Sequence, residues 1–554
     1  MKKYIKNIRN IALGATALFA TTACVGDLDV SPIDPNLNTK EKIKAEQLFT
    51  KCYGYMAMAG IGDGDGDVDV ANLDGGTQGF VRQLFNANEL TTDEAICAWN
   101  DTGIPEFNYN SYSDSHPMLN GFYYRLYFGV TVCNQYLREF GNYDATMSAE
   151  VRFVRALAYY YLTDNWGNIP FTLEVSAVKP PQYSRAQMYE WLEKEVKEIE
   201  PLLSEAKAKT SADAGYGRVD KSAAWLLLAR LYANAEVYTG TPQWAKAAEY
   251  AKKVINSPHK LYTGATKRKF TAYQQLFMGD NGENGSSVEA ILPILSGTSN
   301  QYTTINGQKT YTWSWGSSLF LMASTFNKDM NADPNGQSTF NGTDQTWGGN
   351  RARIELVQKW FPNNDAPSAK QYDMAVAAGD DRCLLYSEGR NLKIENEQQV
   401  KDFTYGYSVA KFTNFRTDGQ APSHVTYPDA DFFLMRSAEA YLLYAEATAR
   451  LNGNRATTEG VGYINQLRAR AHATAKAGYT LNDILDEWSR EFYFEGLRRT
   501  TLIRFNKFGG NSDYVWSWKG GVAAGRNFAA TRNIFAIPNN DIIQNTNLKQ
   551  NPGY

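Results

Sequence analysis

Two neighbouring stretches constrain the fold more than anything else in this chain of 554 residues: Asp220 to Tyr232 (DKSAAWLLLARLY) and Trp244 to Ile255 (WAKAAEYAKKVI). Their apolar residues recur at three- and four-residue spacing, the period of an amphipathic helix. Ala229, Ala247 and Ala251 are small where two helices would cross, while Trp225 and Tyr232 are bulky on the same side. A hairpin built this way buries its apolar face only by stacking on neighbours, which is the packing logic of tetratricopeptide-type repeats. The same periodicity marks 41–60, 121–140, 149–164, 184–203, 219–236, 431–451, 456–471 and 481–505. The pattern predicts a mostly α protein, a tetratricopeptide-like scaffold of about four helical hairpins over 41–60, 121–255 and 431–505. Between them lie insertions at 61–120 and 257–430, rich in Gly, Asn, Asp, Ser and aromatics, with Gly285 to Gly349 reading as long loops with short strands. Loops of that length in a compact protein usually carry function.

Composition narrows the function. The chain has 35 Tyr and 12 Trp but four His, and a net charge of −3. A nucleic-acid partner is disfavoured by that charge. There is no HExxH, no GxSxG elbow and no phosphate loop. His116, His259, His424 and His472 are scattered and read as structural. Cys52, Cys97, Cys133 and Cys383 form no CxxC pair and read as mostly buried thiols, with their disulfide state left open. At the N-terminus, Lys2, Lys3, Lys6 and Arg9 precede an apolar run from Ile11 to Ala20, too short to span a bilayer. Thr21-Thr22-Ala23-Cys24 resembles a bacterial lipobox, with Cys24 the lipidated residue. Val25-Gly26-Asp27-Leu28-Asp29 resembles the acidic tract that sends some lipoproteins to the outer cell surface. Residues 1–23 are expected to be a signal peptide and 24–554 a single domain.

Several blocks then match a family. They are Asp431 to Ala447 (DFFLMRSAEAYLLYAEA), Ile464 to Ala471 (INQLRARA), and Asp486 to Arg499 (DEWSREFYFEGLRR) with Leu502 to Phe505. The ending, Ile537 to Asp541 and Asn551 to Tyr554, also fits. On these blocks the mature chain resembles the SusD/RagB family of surface glycan-binding lipoproteins. Within the family it looks closest to the starch-binding founding member, through Asp27 to Pro35, Phe85 to Glu94, Ala98-Trp99, Val425 to Asp431 and Trp516 to Gly521. The resemblance implies a non-catalytic binder of starch or maltooligosaccharide. It also implies a lipid anchor in the outer membrane, facing the exterior, and delivery to a TonB-dependent SusC-like transporter. Carried over residue by residue, it implies an aromatic arc of Trp99, Trp347 and Tyr302, with Arg82 and Asn100 as polar partners. This chain is one residue shorter after Trp99, so the partner is Asn100 or Asp101. The 297–318 loop differs in length, which leaves the tyrosine as Tyr302 or Tyr311. No cofactor is required for binding. Asp280, Asp429 and Asp431 resemble a family calcium site, where an ion would pin loops.

Physical chemistry supports the arc independently. A pyranose ring has an apolar C–H face that a tryptophan covers at low entropy cost. Its rim hydroxyls need planar donors and acceptors, which Arg and Asn supply. Trp99 and Trp347 lie among Asn, Asp, Gly and Thr, which suits exposure. Trp313 and Trp315 alternate as on a strand, whereas Trp225, Trp244 and Trp488 sit in helical apolar rows and are expected in the core. Glu491 and Glu495 are four apart, but a glycosidase needs its carboxylates on opposite sides of the scissile bond. An ion-pair cluster with Arg490, Arg498 and Arg499 on one helix is the better reading. Asp63, Asp65, Asp67 and Asp74 fit positions 1, 3, 5 and 12 of an EF-hand, yet Val68 takes the glycine position, so the segment reads as a solvated acidic loop. Two alternatives stand: a binder of another glycan such as fructan, and a protein-interaction scaffold that binds no sugar.

Overall fold

The computed structural model describes residues 45–61, 67–296, 302–305, 308–311, 316–336 and 340–554. Cys24 and the lipobox, Asp63, Asp65, Trp313 and Trp315 lie outside the described residues, as do the side chains of Asp67, Tyr302 and Tyr311. The chain divides into two units, 1–50 and 51–554. Of the first, residues 45–50 open a helix, α1 (Ala45–Ala57).

The second unit holds the frame. Its helices are α2 (Pro117–Phe140), α3 (Ala145–Trp166), α4 (Arg185–Ile199), α5 (Lys221–Ala233), α6 (Trp244–Asn256), α7 (Ala438–Leu451), α8 (Thr458–Arg470), α9 (Leu481–Phe492) and α10 (Arg498–Arg504). From α2 to α8 each packs on the next, and α9 packs on α7. The starts follow capping chemistry: Asp144 accepts from the Met147 amide at 2.7 Å, Asp220 from Ser222 at 2.8 Å, and Ser184 with Gln187 forms a capping box. Ala229, Ala247 and Ala251 are fully buried, as the crossing of α5 and α6 requires. Helices α6 and α7 are neighbours even though the long insertion separates them in sequence. The insertion therefore leaves and rejoins the frame at one seam.

Four expectations are corrected. Residues 432–436 form a strand, not the start of a helix. The strand pairs antiparallel with Ala290–Ile294, Phe432 opposite Ile294 and Arg436 opposite Ala290. Its residues are buried on both faces, so the apolar run carries no period that tells helix from strand. The segment 481–505 breaks: Phe494 and Gly496 have φ of 65° and 81°, which reverses the chain between α9 and α10. Glu491 thus lies on the helix and Glu495 in the turn. Trp225 is half-buried, and its indole N–H donates to Glu200 at 2.6 Å, while Trp244 and Trp488 are buried. The insertion 61–120 is also not mainly surface loop. Residues 83–98 are buried throughout, around the helix Phe80–Phe85. Their polar composition misleads because the frame satisfies them: Glu89 accepts from the Gly496 amide at 2.6 Å, and Asp93 pairs with Arg498 at 2.6 Å.

An ion-pair cluster around Glu491 and Glu495 exists, with other partners. Arg436 reaches Glu289, Glu491 and Glu495 at 2.7–2.8 Å. Arg470 reaches Glu289 and Glu491, Arg382 reaches Asp380 and Glu487, and Lys411 reaches Glu495 at 2.7 Å. Arg490 instead pairs with Glu487, and Arg498 with Asp93. Burial would raise the Glu491 carboxyl, but Arg470, Arg436 and Arg382 outweigh it and hold the group well below the ordinary range. Cys52, Cys97, Cys133 and Cys383 are free and buried.

Candidate functional site

The two candidate tryptophans are brought together by a two-stranded ladder. Strand Ala95–Cys97 runs antiparallel to Asn350–Ala352, with Ala95 opposite Ala352 and Cys97 opposite Asn350. The pairing extends one step, the Ala98 amide donating to Gly349 O at 3.0 Å. It then opens, because the amides of Trp347 and Gly348 turn to Ala323 O at 2.8 Å and Phe326 O at 2.8 Å, at the end of the helix Ser318–Ala323. Trp99 and Trp347 therefore leave the ladder at the same end, one from each strand.

Each indole is half-buried and seated on one side. Trp99 meets Phe320 edge-on, centroids 6.1 Å apart, and the Arg82 guanidinium lies 5.6 Å from both rings. Gly349, at φ 102°, passes so close that a Cβ there would stand 2.3 Å from Trp99 Nε1. Trp347 packs on Leu319, Ala323 and Tyr427, and its N–H donates to Gln345 at 2.9 Å. Each ring is thereby packed against protein and left partly exposed.

Arg82 sits on the helix Phe80–Phe85, where Gly79 and Gly316 touch backbone to backbone and the Arg82 amide donates to Gly316 O at 2.9 Å. Its Nε has no hydrogen-bond partner among the described residues. Burial pulls its pKa down, against the charges of Asp74 and Asp101. Asp74 is the N-cap of a helical turn, accepting from Thr77 at 2.9 Å, not the twelfth position of a calcium loop. Asn100 and Asp101 are both exposed beside Trp99. Tyr302 opens a hairpin strand, Tyr302–Ile305, opposite Tyr311 in Gln308–Tyr311, so both candidate tyrosines belong to one rung.

The three carboxylates that the resemblance offers as metal ligands all accept hydrogen bonds from neighbouring segments. Asp280 accepts from the Thr417 amide at 3.0 Å and its hydroxyl at 2.5 Å. Asp431 accepts from the Ser296 amide at 2.9 Å and the Tyr216 hydroxyl at 2.8 Å, and Asp429 accepts from the Ser423 amide at 2.8 Å. Burial raises the Asp431 carboxyl to about 6. Among the described residues no three His, Cys, Asp or Glu side chains come together as a metal site. Through these hydrogen bonds the carboxylates tie loops together.

Sequence reasoning missed Phe320, Gly349 and Gln345. The glycine pair after Trp347 was the available signal, since Gly348 and Gly349 both take positive φ (60° and 102°).

A helical frame with a half-exposed aromatic pair on its insertions defines the class. The SusD family model matches residues 262–554. The chain is 39% identical to the starch-binding protein SusD of Bacteroides thetaiotaomicron, over all of this chain and 99% of that one. The fold is similar to a SusD-like protein of Bacteroides fragilis, with TM-score 0.65, 17% identity, and coverage of 95% and 100% of the two chains. It is likewise similar to surface glycan-binding protein A of B. thetaiotaomicron in complex with laminarihexaose, with TM-score 0.62, 18% identity, and coverage of 92% and 98%. The chain belongs to the SusD family.

Proposed function

We propose that this chain is a non-catalytic starch-binding protein of the outer cell surface. It captures maltooligosaccharide and passes it to a TonB-dependent SusC-like transporter, held to the outer membrane by lipid on Cys24. The observation that carries the reading is the shared exit of Trp99 and Trp347 from one ladder, each half-buried with exposed polar residues alongside in the chain. Two such rings, with Arg82, Asn100 and Asp101 close to Trp99 and Tyr302 as the third ring the resemblance implies, suit successive sugars of a curved α-glucan. The 39% identity to a starch-binding protein over the full length supports starch over other glycans. Catalysis has no support: Glu491 and Glu495 are buried among arginines and a lysine. Among the described residues no helix is long and apolar enough to cross a membrane, which fits a lipid tether. Affinity is modest, because a shallow platform exchanges ordered water and buries little area.

Affinity electrophoresis in amylopectin tests the assignment. The wild type is retarded, and Trp99→Ala with Trp347→Ala migrates as in a plain gel while still unfolding cooperatively, at a melting temperature lowered by the lost packing. A wild type that runs freely through amylopectin but is slowed by laminarin or fructan moves the assignment to that glycan. Release of reducing ends from starch would restore the enzyme reading.

A further inference from the structure

We infer that a second saccharide subsite lies beside Trp347, in the cleft between residues 268–270, 340–344 and 415–425, and takes the continuation of the same glycan chain. This rests on the starch reading above and extends it. The cleft holds about 390 Å³, the low end of the range for small-ligand sites. Its floor is the stacked pair Phe270 and Phe415, centroids 6.3 Å apart. Its walls are Arg268, Phe340, Thr343, Asp344, Arg416 and Gln420.

The backbone is strained to build it. Phe340 and Arg268 both hold left-handed conformations, φ 50° and 44°, although neither is glycine. Such strain persists only where surrounding structure over-determines it. Two glycines allow the walls to close. Gly342, at φ 88°, lies against the 414–415 backbone, where a Cβ would stand 2.7 Å from the Asn414 carbonyl carbon. Gly419, at φ 80°, lies under the Arg268 guanidinium.

The chemistry suits a neutral polyol. An aromatic ring, half-exposed, stands among guanidinium, amide, hydroxyl and carboxylate groups. The positive charge is already balanced: Arg416 pairs with Asp418 at 2.9 Å and Glu283 at 2.7 Å, and Asp333 and Asp344 line the same cleft as Arg268. An anionic ligand would gain little there, whereas sugar hydroxyls would meet fixed donors and acceptors. The cleft is also wired to the aromatic arc. Trp347 Nε1 donates to Gln345 Oε1 at 2.9 Å, Gln345 Nε2 donates to Asp344 Oδ1 at 2.9 Å, and the Thr426 hydroxyl donates to Asp344 Oδ2 at 3.1 Å. Residues 344–347 thus join the Trp347 indole to the cleft wall through one loop.

The test is calorimetric titration of the full chain with a short and a long maltooligosaccharide. Phe340→Ala with Arg268→Ala lowers affinity for the long ligand about tenfold, roughly 1.4 kcal/mol, and leaves the short one unchanged. Gln420→Trp fills the cleft from an exposed position and gives the same split without removing a wall. Equal affinities to wild type for both ligands overturn the subsite, and so does an equal loss for both. A wild type that binds neither oligosaccharide refutes the starch reading itself, and the subsite with it. A wild type that binds both equally well overturns the subsite alone.

Discussion

At the scale of single residues, the seat of the Trp99 indole depends on a small group held against it. Gly349 is the sharpest case. Its φ of 102° is open to glycine and costly for any other residue, and its Cα stands where a Cβ would press on Trp99. Gly349→Ala is expected to cost about 1–3 kcal/mol of stability and to displace the ring. Amylopectin retardation should fall far more than the melting temperature. Retardation equal to wild type would show that the Trp99 seat does not depend on this contact. Arg82 makes the complementary point. It is held beside Trp99 and Phe320 with its Nε unpaired. A buried donor left without a partner is costly, so this guanidinium is held in place by the two rings and its backbone contacts rather than by a hydrogen bond from Nε.

At the scale of elements, the ladder and the helix starts set positions. The register of 95–97 against 350–352 fixes which side of the sheet pair each tryptophan leaves from, because side chains alternate along a strand. The start of α2 carries a pH signature. His116 caps it, with Nδ1 accepting from the Leu119 amide at 3.2 Å and Nε2–H donating to Gly103 O at 2.9 Å. A carbonyl only accepts and an amide only donates, so the neutral Nε2–H form is the one that fits. Burial lowers its pKa to about 4. The folded value lies below the unfolded one, so the stabilisation is present above about pH 6.5 and is lost as pH falls towards 4. Urea midpoints should drop over that window by an amount worth about 3 kcal/mol. His116→Asn keeps a capping acceptor without titrating, and should flatten the drop. An unchanged drop in that variant would assign it to other groups.

At the scale of the whole second unit, the buried ion network joins insertion to frame. Glu289, Asp380, Arg382 and Lys411 come from the long insertion, while Arg436, Arg470, Glu487, Glu491 and Glu495 come from the strand, helices and turn after it. Burying a charged pair gains little over an apolar one, but removing one partner leaves an uncompensated charge. Glu491→Gln is therefore expected to cost about 3–5 kcal/mol, read as a lower denaturant midpoint. Glycan affinity of the protein that remains folded should be unchanged. A midpoint within error of wild type would mean that Arg436 and Arg470 find enough compensation in Glu289 and Glu495.

Much of the frame was legible in the chain itself. Helices α2 to α6 and α8 fall within a few residues of their periodic segments, since amphipathic spacing and capping residues are local signals. The family blocks also named Trp99 and Trp347. Tertiary structure alone decided the rest. Only the folded chain shows residues 83–98 inside, because their carboxylates meet partners from beyond residue 485. The strand at 432–436 was unreadable because burial on both faces erases periodicity. The partners of Glu491 could not be guessed from its own helix, since charges in a core pair by proximity in space. Neither the seat of Trp99 on Phe320 nor the link from Trp347 to the cleft through Gln345 and Asp344 exists until the insertions pack. Sequence determined the scaffold, because helical periodicity and capping are local patterns, and the family resemblance nominated the candidate binding side chains. Tertiary packing determined which faces remain open to a ligand, because exposure is a property of neighbours that lie far away along the chain.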